Sequence, residues 1–115
     1  MNTISTPETS LLRIYVSSTD LVRRTPVYEA IAYAARRYGM AGCTVTKGLM
    51  GYGRHMRLSS PKFWEMVEKV PVVVEIADDT ARIDAFLSKI SRWLDRLPHG
   101  CLVLTLPVAI RRPNS

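Results

Sequence analysis

The sequence predicts an α+β domain of order βαββαβ, a four-stranded antiparallel sheet with two helices on one face. Three observations carry that prediction. Two segments repeat apolar residues at helical spacing, four short segments are rich in β-branched residues, and each helix lies between two of those strands. Right-handed crossovers then place both helices on the same side of the sheet, which is the ferredoxin-like plan.

Residues 1–10 are rich in Ser, Thr and Pro and carry one charged side chain, so they read as a disordered arm before a single domain at 11–112. Leu11 to Ser17 alternates, with Leu12, Ile14 and Val16 opposite Leu11, Arg13 and Tyr15, and forms the first strand. Thr25 offers a capping hydroxyl and Pro26 suits the first helical position. Val27, Ala30, Ile31, Ala34, Ala35 and Tyr38 then follow a helical stripe, with Gly39 as the left-handed stop. Gly42 to Gly48 is the second strand. The connection that follows is long for a compact domain, which marks function or mobility; Ser60-Pro61 within it starts a short helical turn carrying Phe63, Trp64 and Val67.

Val70 to Ala77 is the strongest strand signal, with Val72, Val74 and Ile76 on one face. Asp78, Asp79 and Thr80 read as caps of the second helix, favoured by its dipole. Ile83, Phe86, Leu87, Ile90, Trp93, Leu94 and Leu97 form its apolar stripe, and Pro98 and Gly100 stop it. Cys101 to Leu106 is the last strand. Leu102, Leu104 and Leu106 are expected under the helices with Leu12, Ile14, Val72, Val74 and Ile76. Arg13, Tyr15, Thr44, Thr46, Val73, Glu75, Val103 and Thr105 are expected on the opposite face, which is apolar enough to want a partner. The second and fourth strands are edges, so Cys43 and Cys101 should not meet.

Composition narrows the function classes. With 47% hydrophobic and 23% charged residues the chain can build a core, which excludes a wholly disordered protein. No apolar run approaches the ~18 residues of a membrane span, and the N-terminus lacks the basic and apolar regions of a signal peptide. Two cysteines are too few for a disulfide framework and show no metal spacing, so the expected compartment is the cytoplasm. The formal charge of +6 favours anionic ligands.

Two clusters can meet such a ligand. Gly48, Gly51 and Gly53 allow close backbone approach, and Arg54, His55 and Arg57 follow them with positive charge. The spacing matches neither the dinucleotide nor the P-loop fingerprint. The second cluster is His99 and Gly100 after Pro98, with Arg111 and Arg112 near the end of the chain. The plainer readings are a basic surface loop for the first, and a helix stop with a solubilising tail for the second. His55 and His99 have no ligand partners at metal spacing, and no acid and base are paired, so neither a metal, a cofactor nor an enzyme is expected.

The segments LLRIYVSSTD, TPVYEAIAYAARRYGMAGCTVTKGLMGYG, VPVVVEIADD and HGCLVLTLPVAI resemble the bacterial family called domain of unknown function 190, over Leu11 to about Ile110. That family has the fold of the PII signal-transduction proteins. The resemblance implies a homotrimer that binds a small anionic ligand, such as a nucleotide, at clefts between subunits. It also implies that the loop 51–69 contacts a protein partner, for example a membrane transporter or channel. Gly51 to Lys69 then corresponds to the T-loop, Pro98-His99-Gly100 to the second binding loop, and Arg111-Arg112 to the basic end. The chain departs from PII proteins proper in lacking a Gly-Lys-rich second loop and a tyrosine-bearing modification motif.

Two other classes share this strand order. An RNA-binding module would suit a basic chain, and Tyr15 could stack a base, but the third strand has no aromatic and carries Glu75, so nucleic acid is not the expected partner. A small oligomeric ferredoxin-like enzyme is the other, and it lacks an acid–base pair.

Overall fold

The computed structural model describes residues 8–48, 70–98 and 100–111. Its elements are β1 (Thr9–Ser17), β2 (Leu21–Val22), β3 (Thr25–Pro26), α1 (Val27–Arg37), β4 (Thr44–Lys47), β5 (Pro71–Asp79), α2 (Thr80–Asp95) and β6 (Leu102–Pro107). The main sheet has the order β4-β5-β1-β6 with every neighbour antiparallel, and β2 and β3 form a separate hairpin. This is the expected ferredoxin-like plan, with β4 and β6 at opposite edges.

Strict alternation drives the core. Leu12, Ile14 and Val16 of β1 and Val72, Val74 and Ile76 of β5 are buried beneath Val27, Ile31, Ala34 and Ala35 of α1 and Ile83, Phe86, Ile90 and Leu94 of α2. Each large aliphatic side chain removed from water in this way stabilises the fold by roughly 1.5–3 kcal/mol before the entropy of ordering it is subtracted. The helical stripes lie where their spacing put them, except that Tyr38 is the C-cap of α1 and stays 46% exposed.

Several local expectations are corrected. β1 begins at Thr9 rather than Leu11, because polar groups extend the ladder: the Ser10 and Thr80 hydroxyls lie 2.6 Å apart, and the Thr80 N–H donates to the Glu8 carbonyl at 2.8 Å. The rest of the expected arm, residues 1–7, lies outside the described residues, as do the loop 51–69 and its helical turn. Thr25 does not cap α1. Pro26 holds the cap position without a side-chain bond, and the first helical N–H, that of Val27, reaches the Asp20 carbonyl at 2.8 Å. The other end of α1 follows expectation: Gly39 takes φ +69°, and the N–H groups of Gly39 and Met40 bond the carbonyls of Arg36 and Ala35, a Schellman stop.

Asp78 and Asp79 belong to β5, and neither side chain caps α2. The facing of β6 is also opposite to that expected. Val103 pairs with Ile14 and packs against the core, whereas Leu102, Leu104 and Leu106 pair with Tyr15, Arg13 and Leu11 on the outer face. The strand reads Leu on one parity and Cys, Val, Thr on the other, so either face could be buried; its register against β1 decides which.

Candidate functional site

The antiparallel register sorts the candidate residues by sheet end. Gly48 leaves β4 beside Pro71, Gly100 precedes β6, and both lie at the end where β1 finishes with Ser17. They stand at opposite edges, roughly three strand spacings or 14 Å apart. Arg111 is exposed and follows Pro107, which pairs with Ser10 at the far end of the sheet. One chain therefore gathers Gly48 and Gly100 at one end and carries Arg111 to the other. Gly51, Gly53, Arg54, His55, Arg57 and His99 lie outside the described residues.

Gly48 and Gly100 both have structural duties. The Gly48 N–H donates to the Pro71 carbonyl at 2.7 Å, and a Cβ there would lie 2.9 Å from the Pro71 ring. Gly100 has φ +71° and donates its N–H to the Leu97 carbonyl at 3.1 Å, closing the exit from α2. Their amides are used by the fold.

Between these edges the chain leaves β1 through a tightly bonded connection. The Ser18 N–H donates to the Val70 carbonyl at 2.9 Å, and the Val70 N–H returns a bond to the Ser18 hydroxyl at 3.1 Å. The buried Asp20 carboxylate accepts the Ser17 N–H at 2.9 Å. From this base rises the β2–β3 hairpin, whose two-residue tip is Arg23 and Arg24, with φ of 50° and 74°. Sequence reasoning missed it, since a tip of this left-handed kind is ordinarily announced by Asn-Gly or Asp-Gly.

A second polar cluster sits at the far end. Burial alone would raise the Asp78 carboxyl, but the N–H groups of Ala41 and Asp79, at 2.8 and 2.7 Å, and the Arg82 guanidinium, at 3.2 Å, hold it below the ordinary carboxylate value. Arg82 also donates to the Tyr38 and Gly39 carbonyls at 3.0 and 2.8 Å, so the cluster ties the end of α1 to α2. Beside it lies a groove of about 100 Å³ lined by Tyr38, Met40, Arg82, Ala85, Phe86 and Lys89. That is well below the roughly 300 Å³ at which small-molecule sites begin.

Both cysteines lie on exposed edges, and burial of the sulfur pushes each thiol up, helped at Cys101 by the charges of Asp20 and Asp95. Thiols raised in this way are poor nucleophiles at neutral pH. Among the described residues no three His, Cys, Asp or Glu gather as a metal site.

The middle of the sheet's outer face consists of three cross-strand rows. Leu106, Leu11 and Ala77 form the first; Leu104, Arg13, Glu75 and Thr44 the second; Leu102, Tyr15, Val73 and Thr46 the third. Leu102, Leu104 and Leu106 are 53%, 37% and 37% exposed in the single chain. In the centre the Arg13 Nε donates to Glu75 Oε2 at 2.7 Å, a bond that raises the Arg13 pKa. The outward residues of β5 are Pro71, Val73, Glu75 and Ala77, with no aromatic on which RNA bases could stack.

The chain resembles proteins of known sequence and structure. A UPF0166 protein of Aquifex aeolicus (strain VF5) is 34% identical over 80 residues, which cover 70% of this chain and 76% of that protein. A UPF0166 protein of Methanocaldococcus jannaschii is 26% identical over 95 residues, covering 83% and 85%. Among solved structures, CPII from Thiomonas intermedia K12 bound to ADP, AMP and acetate superposes with a TM-score of 0.64 at 17% identity, covering 96% of both chains. The same CPII, a nitrogen regulatory PII-like protein, bound to ADP, AMP and bicarbonate, gives 0.62 at 15% identity over 92% and 91%. These likenesses carry the PII-like fold, and because the family described as DUF190, Uncharacterized ACR, COG1993, matches residues 9–110, the chain belongs to that family.

Proposed function

We propose that the protein is a cytoplasmic, non-enzymatic regulator of the PII-like kind, a homotrimer that binds an adenine nucleotide at clefts between subunits. The loop 51–69 would report the bound state to a protein partner, such as a transporter or channel. The observation that carries the reading is the outer sheet face, where Leu11, Leu102, Leu104, Leu106, Tyr15 and Val73 form one largely apolar surface around the Arg13–Glu75 pair. A sheet face of that composition is stable when covered. The nucleotides named for CPII supply the ligand class, and the charge of +6 suits it. No described helix is long and apolar enough to cross a bilayer.

Light scattering tests the assembly and calorimetry the ligand. A mass of about three chains of 13.0 kDa and saturable heat with ATP, ADP or AMP are expected. A monomeric mass, or no binding of any of the three below about millimolar, rejects the reading.

A further inference from the structure

We propose that Arg23 and Arg24, at the tip of the β2–β3 hairpin, form a clamp for the phosphate chain of a nucleoside polyphosphate. The proposal rests on the nucleotide-binding reading above and assigns a part of the site to residues that the glycine and arginine clusters do not include.

Position comes first. In the order β4-β5-β1-β6 the end of β1 lies between the start of β5 and the start of β6. The connection leaving β1 is bonded to Val70 through Ser18, and its Asp20 carboxylate accepts the N–H of Ser17, the last residue of β1. The hairpin therefore rises from the middle of the sheet end that also holds Gly48 and Gly100.

Backbone conformation is the second observation. The two-residue connection between β2 and β3 has both central residues in the left-handed region, φ 50° and 74°. An L side chain is disfavoured there, and such tips ordinarily take Asn and Gly. Strain of this kind persists only where the surrounding structure holds it, and it clusters at ligand clamps and other functional sites.

Charge is the third. Both arginines are exposed, and neither makes an ion pair or a side-chain hydrogen bond among the described residues. Two adjacent guanidiniums on one tip, with no ion-pair partner among the described residues, offer two forks of the kind that meets phosphate oxygens with paired hydrogen bonds. A single phosphate satisfies one fork. A chain of two or three engages both.

The test uses the double variant Arg23→Asn, Arg24→Gly, which gives the turn the residues it prefers and so keeps the fold. ATP, ADP, AMP and inorganic tripolyphosphate are titrated into both proteins by calorimetry, and unfolding is followed alongside. The expected result is a fall of about tenfold or more in affinity for ATP, ADP and tripolyphosphate, with AMP changed less than threefold and the unfolding midpoint equal or higher. Unchanged affinity for ATP and tripolyphosphate overturns the clamp, and so does an equal loss for AMP. A wild type that binds tripolyphosphate through these arginines but no nucleotide keeps the clamp and rejects the nucleotide reading. A hairpin that meets an acidic protein surface instead would show no arginine-dependent binding of tripolyphosphate, which also overturns the proposal.

Discussion

At the scale of single residues, Asp78 shows how one carboxylate can secure a fold. It is 6% exposed, and its bonds to Ala41, Asp79 and Arg82 join the exit of α1 to β5 and α2. Asp78→Ala strands two backbone N–H groups, so we expect a loss of about 1–3 kcal/mol, read as a lower urea midpoint at unchanged slope. Because the folded carboxyl titrates below its unfolded value, its contribution is complete above about pH 5, roughly a unit above the unfolded carboxylate value, and is lost as pH falls through the folded pKa. The gap between wild type and variant should therefore narrow on acidification and stay constant from pH 5 to 8. Gly48 gives a second test. Gly48→Ala drives a methyl against the Pro71 ring, a rigid neighbour, and should cost about 1–3 kcal/mol of stability. If its role is confined to that contact, nucleotide affinity measured on the folded fraction stays the same. The sequence marks Gly48 as special but does not say whether a ligand or Pro71 requires it, since a glycine looks alike in either role.

At the scale of elements, the inner face of β1 and β5 is readable because Leu12, Ile14, Val16 and Val72, Val74, Ile76 are all branched aliphatics at alternate positions, while the charged residues Arg13 and Glu75 fall on the other parity. β6 carries Leu102, Leu104 and Leu106 against Val103 and Thr105, and nothing in that string says which set is inside. Hydrogen-bond register with β1 decides it, and the outcome predicts two opposite phenotypes. Leu106→Asp places a carboxylate in the apolar row with Leu11 and Ala77, so it should abolish association while the chain stays folded, measured by light scattering and circular dichroism. Val103→Asp faces Ile14 and the core, so it should lower the unfolding midpoint by the equivalent of about 2 kcal/mol or more. Reversed phenotypes would mean that Leu102, Leu104 and Leu106 face the helices. The β2–β3 hairpin was invisible for a related reason: Arg-Arg carries no turn signal, and only the bonds of Ser17, Ser18, Asp20 and Val27 around it define the turn.

At the scale of the whole molecule, the sheet has one face beneath the helices and one on which Leu102, Leu104 and Leu106 are exposed and Tyr15 and Val73 half-buried in a single chain. If that face closes between copies, part of the stability belongs to association, and the unfolding midpoint should rise with protein concentration across a hundredfold range. In Leu106→Asp it should not move. The sequence by itself determined the order βαββαβ, the two helical stripes and the burial of Leu12, Ile14, Val72, Val74 and Ile76, because each rests on periodicities within one segment. It also carried the family, confirmed over residues 9–110. Tertiary structure alone decided the facing of β6, the tip at Arg23 and Arg24, the Asp78–Arg82 junction, and the separation of Arg111 from Gly48 and Gly100. Each of these depends on which residues from distant segments are hydrogen-bonded side by side, and pairing across the chain is set by register, which no local pattern of side chains records.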